Sequence, residues 1–314
     1  MRIQWITPQT DQNRSIRIRI RITITTNSPM IDLPNHPDLH TFSCEAMYTT
    51  FDFHLVCPDA ARAADAASAC FNQLESLESE LSRFRHDSDI SRINHLDAGE
   101  SLLISDTTYA CLRQAFEAYD VTGGLFDVTL GANTWPAGYG PDSAITSGVG
   151  QIELAPDRPL VTCVKPGRQV DLGGIGKGFA LDQLAVTLAS YRIRSALLCS
   201  GASSMLAVGS QTWPITLTGD AGVKRIGLQG CALGASGTGI QGAHVIHPDS
   251  PGEVPPCSFK RTWLTAPCAA LADACATACL LMADDEIDAF ADMHRDDMTI
   301  YVEDIDDGSE IRPI

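Results

Sequence analysis

Residues 171–182 read DLGGIGKGFALD, and the organisation of the chain is read outward from them. Three evenly spaced glycines, Gly174, Gly176 and Gly178, bracket a lone lysine, Lys177, and Asp182 opens an apolar helical pattern with Leu184, Leu188 and Tyr191 on one face. Glycine lets a backbone turn sharply and approach a ligand closely. A bend that ends at a helix start aims main-chain N–H groups at one point, which favours an anion such as phosphate. Lys177 adds one mobile positive charge. The stretch is not a Walker A loop, because Asp171 stands at the first glycine position and Gly178 at the hydroxyl position. The even spacing also excludes the Gly-x-Gly-x-x-Gly dinucleotide fingerprint. On its own the loop reads equally as a phosphate cradle of another kind or as a glycine-rich turn with no ligand.

Upstream, residues 44–55 carry a strand pattern. Asp59 then caps a helix over 60–81, where Ala63, Ala67, Cys70, Leu74, Leu77 and Leu81 recur at intervals of three and four. A polar stretch, SRFRHDSDISRIN, follows at 82–94. Ser105 or Asp106 caps a second helix running to about Val121, which Gly123 and Gly124 end. In FDVTLGAN (126–133), Asp127 and Thr129 share a strand face, and 134–168 are rich in Gly and Pro with short β-like runs. Downstream of the loop, SALLCSGASSMLAVG (195–209) reads as strand, turn, strand. Further strands fall across 212–265, including ITLTG and AHVIHP. A helix spans about 269–282, and TIYVED is a late strand. Many strands with about three long helices give an α+β fold of mixed, largely antiparallel sheets.

Size and composition bound the function. The 314 residues are 44% hydrophobic, enough for a full core. No apolar run reaches the roughly 18 residues that span a bilayer. A net charge of −17 argues against binding nucleic acid, so a phosphate ligand needs locally gathered cations or a metal ion. Eleven cysteines, none spaced Cys-x-x-Cys, exclude the usual zinc and dithiol patterns and read mostly as small buried hydrophobes in a reducing compartment. Near the N-terminus, IRIRIRITIT (16–25) alternates as an edge strand or an upstream extension, with Met30 or Met47 nearer the functional start. No signal peptide pattern is seen, which leads us to expect a cytoplasmic protein. The expected division is an N-terminal extension over 1–40 that is poorly ordered, one domain over 41–308 and a C-terminal tail over 309–314.

Three further groups bear on chemistry. Asp273 and Thr277 in ADACATA are one helical turn apart on one face. A carboxylate and a hydroxyl suit a hard cation such as Mg²⁺, and an Asp–Thr hydrogen bond is the plain alternative. His244 and His247 point to opposite faces of a strand, which argues against a shared metal, and one of them reads as a candidate base or as a structural histidine beside a turn. Ser82, Arg83 and Ser88 read either as a phosphate site or as a capped helix end.

Taken in order, AMYTTFDFHL, LSRFRHDSDISRIN, GGLFDVTLGAN, VDLGGIGKGFALD, ALLCSGASSMLAVG, ASGTG, HVIHPDSPG and LADACATACLLM resemble the ApbE-type FAD:protein FMN transferase family over about residues 45–285. The resemblance implies a T-fold-like α+β architecture that takes FAD as substrate with Mg²⁺. It implies transfer of the FMN moiety to a Ser or Thr hydroxyl of an acceptor protein through a phosphoester bond, with release of AMP. It places metal ligands at Asp273, Thr277 and the carbonyl of Gly176. Catalytic roles fall on His244, as base, and on Asp273. Nucleotide contacts fall on Met47, Tyr48, Asp127, Thr129, Lys177, Asp182, Gly201, Ser236 and His244. The chain departs from the family's Met-Gly-Thr at Tyr48, from its paired glycines at Ala202, and in a short segment between Gly237 and His244. Members of the family are often exported and lipid-anchored, yet no lipobox is seen here. Two other outcomes stay open: a Mg²⁺-dependent FAD diphosphatase yielding FMN and AMP, and a non-catalytic FAD-binding protein.

Overall fold

The computed structural model describes residues 31, 33, 36–131, 151–167, 169–237, 247–248, 258–305, 308 and 310–314. In chain order the first elements are β1 (Leu39–Ala46), β2 (Thr49–Val56), α1 (Ala60–Leu81), α2 (Asp89–Ile93), β3 (Ser101–Leu103) and α3 (Asp106–Val121). There follow β4 (Gln151–Leu154), β5 (Leu160–Lys165), α4 (Gly176–Ser190), β6 (Ala196–Ser200), β7 (Ser204–Val208), β8 (Trp213–Thr218) and β9 (Val223–Leu228). The chain closes with β10 (Ala232–Gly237), β11 (Phe259–Ala266), α5 (Ala269–Cys279), α6 (Asp284–Met293), β12 (Thr299–Asp304) and β13 (Arg312–Pro313). An eight-stranded sheet of order β1-β2-β6-β7-β10-β11-β12-β13 is antiparallel at every step. Smaller sheets of order β3-β5-β4 and β8-β9 flank it.

Each long helix forms where local signals agree. The Asp59 carboxylate accepts from the N–H groups of Ala61 and Arg62 and starts α1, which buries Ala63, Ala67, Cys70, Leu74, Leu77 and Leu81. Each fully buried leucine contributes about 2 kcal/mol. Ser105 caps α3 through the Thr108 N–H, and Gly123 and Gly124, at φ of 61° and 88°, end it. Nine of the eleven residues of α5 are buried, so this helix lies inside the molecule. Its small side chains let neighbours come close: a Cβ added to Gly178 of α4 would sit 2.1 Å from the Ala269 carbonyl oxygen, and one on Gly234 of β10 would sit 2.2 Å from that of Ala272. The opposite sheet face is covered by the β8–β9 hairpin. There Trp213, Ile215, Leu217 and Leu228 pack with Leu197, Cys199, Met205 and Trp263 in a second core.

Several sequence expectations change. Four helices exceed ten residues where about three were expected, and α5 stops at Cys279 rather than about 282. Helix α6 was not expected; it buries only Ile287 and Phe290 and starts with three acidic residues. The C-terminal residues expected as a tail instead add β13 to the sheet and bury Ile311. Ile31, counted with the extension, bridges Ile215 of β8, whereas residues 1–30, including the alternating run at 16–25, lie outside the described residues. Eight described cysteines are buried as expected. Burial pushes the Cys70 and Cys275 thiols up to about 12, which keeps them unreactive.

Candidate active site

The antiparallel registers bring one end of the large sheet together. The turn joining β1 to β2 (Met47, Tyr48), the turn joining β6 to β7 (201–203), the end of β10 at Gly237 and the start of β11 at Phe259 all lie there. Helix α4 begins at the same end. A Cβ on Gly174, two residues ahead of α4, would lie 3.7 Å from the Thr277 hydroxyl and 2.8 Å from the Phe126 ring. The lysine loop therefore sits between α5 and the FDVTLG segment. The loop is held from behind. Asp171 receives the Arg83 guanidinium at 2.8 Å, and the same guanidinium donates to the Gly131 carbonyl at 3.0 Å. The Arg83 side chain is 8% exposed, and burial lowers its pKa against the raising effect of Asp171. It acts as a brace of the loop rather than a solvated phosphate contact.

Asp273 is the buried charge of the site. One carboxylate oxygen, Oδ2, accepts from the Gly178 N–H at 2.8 Å and from the Ser204 hydroxyl at 2.8 Å. The other, Oδ1, makes no hydrogen bond among the described residues. Burial pushes the Asp273 pKa up to about 6, against the lowering effects of Lys177, Ser204 and the Gly178 N–H. The Thr277 hydroxyl donates to the Asp273 main-chain carbonyl at 3.1 Å, which leaves its lone pairs available. A carboxylate oxygen without a donor and the Thr277 hydroxyl, one helical turn apart, are both oxygen donors, which fits a hard divalent cation. Among the described residues no group of three or more His, Cys, Asp or Glu gathers as an alternative metal site.

Beside this cluster a solvent-open cleft of about 160 Å³ runs between the β1–β2 turn and the loop, lined by Met47, Tyr48, Phe84, Gly173, Gly176 and Lys177 among others. Lys177 Nζ donates to the Gly173 carbonyl at 3.4 Å. Met47 and Tyr48 both have positive φ, 50° and 60°, the signature of a type I′ hairpin turn. Residues other than glycine hold that conformation at a cost of about 1–2 kcal/mol each. Tyr48 is 87% exposed and meets the edge of Phe84, with ring centroids 6.0 Å apart.

The remaining sequence candidates divide. Asp127 and Thr129 do not share a strand face. The Asp127 carboxylate accepts from both the N–H and the hydroxyl of Thr129, forming a turn behind the loop. The chain there pairs instead through Leu130 and Gln169. Gly201, at φ of 57°, turns the β6–β7 connection against Thr49, and Ser236 lies on the last stretch of β10. His244 lies outside the described residues. Asp182 needs a correction, because α4 opens at Gly176 and Asp182 lies inside it. Its two oxygens accept from the N–H groups of Ala269 and Ala270 at 2.8 and 2.9 Å. It caps the start of α5 from a neighbouring helix, which is what a carboxylate does well at a helix N-terminus. We expect Asp182→Asn to lower stability by about 1–2 kcal/mol in chemical denaturation while leaving FAD affinity within about twofold. A fall in affinity at constant stability would make Asp182 a nucleotide contact instead. The residue missed by sequence reasoning is Ser204. Its signal was its place as the first residue of β7, directly after the SGAS turn and on the face toward α5.

A family model described as "ApbE family" matches residues 47–302. The FAD:protein FMN transferase of Treponema pallidum is 26% identical over 265 residues, covering 71% of this chain and 73% of that protein. The Haemophilus influenzae FAD:protein FMN transferase is 27% identical over 211 residues, covering 56% and 60%. Among solved structures, the flavin transferase ApbE from Vibrio cholerae superposes with a TM-score of 0.74 at 22% identity, over 87% of this chain and 96% of that one. The apo flavinyl transferase ApbE of Pseudomonas stutzeri gives 0.75 at 19% identity, over 88% and 94%.

Proposed function

The chain belongs to the ApbE family, and from that premise we propose that it transfers the FMN moiety of FAD to a Ser or Thr hydroxyl of an acceptor protein, releasing AMP. The observation that carries this reading is Asp273, a buried carboxylate with one oxygen fixed by Gly178 and Ser204 and the other without a donor, at the mouth of a glycine-rich helix start.

Under this reading Asp273, Thr277 and the Gly176 carbonyl hold Mg²⁺, which would neutralise the diphosphate and stabilise the departing AMP. The Lys177 ammonium, in the lining of the cleft, would add positive charge beside the same diphosphate, and the dipole of α4 adds positive potential in an otherwise acidic protein. Asp127 and Thr129 stiffen the segment behind the loop. Met47, Tyr48, Gly201 and Ser236 line the nucleotide at the sheet end. His244 takes the proton of the acceptor hydroxyl as its oxygen attacks the FMN phosphorus, so one P–O bond forms while the P–O bond to AMP breaks. What supports a base on this segment is that the strand ends flanking it, Gly237 and Phe259, lie at the site end of the sheet.

The test is to incubate the full chain with FAD, Mg²⁺ and an acceptor protein and to follow acceptor mass and released nucleotide. Covalent FMN on the acceptor with stoichiometric AMP is expected. Free FMN and AMP with no acceptor adduct would replace transfer by hydrolysis, and intact FAD throughout would overturn both.

A further inference from the structure

Tyr48 combines three properties that rarely coincide. Its backbone holds a left-handed φ of 60° directly after Met47 at 50°, a pair of positions that glycine or asparagine normally takes. Its ring is 87% exposed, so burial does not repay that conformation. It also stands on the lip of the cleft that holds Gly173, Gly176 and Lys177. Strained residues persist where the surroundings or a ligand make use of them. Its described ring contact is a T-shaped one with Phe84, and the side chain is otherwise turned to solvent.

We propose that Tyr48 is a specificity-determining residue that lays its ring against a planar heteroaromatic ring of the nucleotide in this cleft. The inference rests on the FAD reading above and adds to it a ring contact from the position where the family's Met-Gly-Thr motif has glycine. The chemistry matches the cleft. An exposed aromatic ring favours offset stacking with another ring, while the charge of Lys177 in the lining of the same cleft favours the attached phosphate. FAD carries two such rings, the isoalloxazine and the adenine, each joined to a phosphate through a sugar or polyol. Tyr48 sits at the end of an eight-residue strand hydrogen-bonded along its whole length to β2, so its backbone is held in place before any ligand arrives.

The experiment uses the full chain and two substitutions, Tyr48→Gly and Tyr48→Phe. Binding of FAD, FMN and ADP is measured by calorimetry with Mg²⁺ present, and melting temperature is measured without ligand. For Tyr48→Gly we expect FAD affinity to fall about tenfold while the ligand-free melting temperature holds or rises, because glycine removes the left-handed strain. Tyr48→Phe should keep wild-type affinity. Opposite signs in affinity and stability separate a ring contact from a merely structural role, which would lower both together. A loss confined to FMN assigns the isoalloxazine, and a loss confined to ADP assigns the adenine. FAD affinity within about twofold of wild type in Tyr48→Gly would overturn the proposal and leave the transferase reading intact. A wild-type chain that binds none of the three ligands would overturn both.

Discussion

Asp273→Asn is expected to lower Mg²⁺-dependent turnover by about a thousandfold and, at the same time, to make the metal-free protein more stable. The two effects share one cause. The wild-type carboxylate is charged, buried and provided with donors on one oxygen only. Its pKa lies at about 6 in the folded chain against a reference of 3.8. The folded state therefore holds this proton more tightly than the unfolded state, so stability falls as pH rises from about 4 to about 6 and stays low above that. The full penalty is of the order of 3 kcal/mol for such a shift. An asparagine oxygen still accepts from Gly178 and Ser204, but the buried charge is gone. In thermal melts at pH 8, the substituted protein should exceed the metal-free wild type and should show no further rise on adding Mg²⁺, whereas the wild type should rise. Ser204→Ala should weaken Mg²⁺ binding about tenfold by releasing Oδ2, without removing the ligand. Wild-type Mg²⁺ affinity in Asp273→Asn would end the metal assignment.

Local signals explain what was legible in the sequence and what was not. Helix α1 was readable to the residue and α3 to within one, because their caps and apolar spacing, and the glycines that end α3, all lie within the helix or beside it. The lysine loop and the Asp273–Thr277 pair were readable as chemistry, since each is a short motif. Their adjacency came only through the family resemblance and not from the residues themselves, because it depends on α4 and α5 running antiparallel beside the sheet end. Asp182 was misread for the same reason. A carboxylate a turn and a half into one helix looks like a helix start in sequence, while its partners, Ala269 and Ala270, lie far along the chain. FDVTLG was read as a strand with Asp127 and Thr129 on one face, yet the Asp127 side chain bonds the Thr129 N–H and gives the backbone a turn in place of a ladder. Helix α6 has too narrow an apolar stripe to stand out.

Glycine in the lysine loop separates into two kinds, and Gly178→Ala against Gly176→Ala shows it. A Cβ on Gly178 would lie 2.1 Å from the Ala269 oxygen, 2.4 Å from its carbonyl carbon and 2.7 Å from the Ala270 nitrogen, all backbone atoms of α5. Backbone cannot rotate away as a side chain does, so α4 and α5 must separate. That movement also breaks the Gly178 N–H bond to Asp273 and pulls Asp182 from the start of α5, because all three contacts lie on the same stretch of α4. Overpacking alone costs about 1–3 kcal/mol, and the lost hydrogen bond to a buried carboxylate adds about 1.5–3 kcal/mol. We therefore expect Gly178→Ala to lose about 3–5 kcal/mol in denaturant unfolding and to lose metal binding with it. A Cβ on Gly176 meets only the Leu172 side chain, at 3.6 Å, which is ordinary contact. At the first position of a helix alanine replaces glycine without strain, so Gly176→Ala should hold or gain up to about 1 kcal/mol. The evenly spaced glycines would then owe their spacing to close helix packing at Gly178 and to the close approach of the Phe126 ring at Gly174. Equal stability of the two variants would mean that α4 and α5 can part freely, and that the site does not depend on their contact.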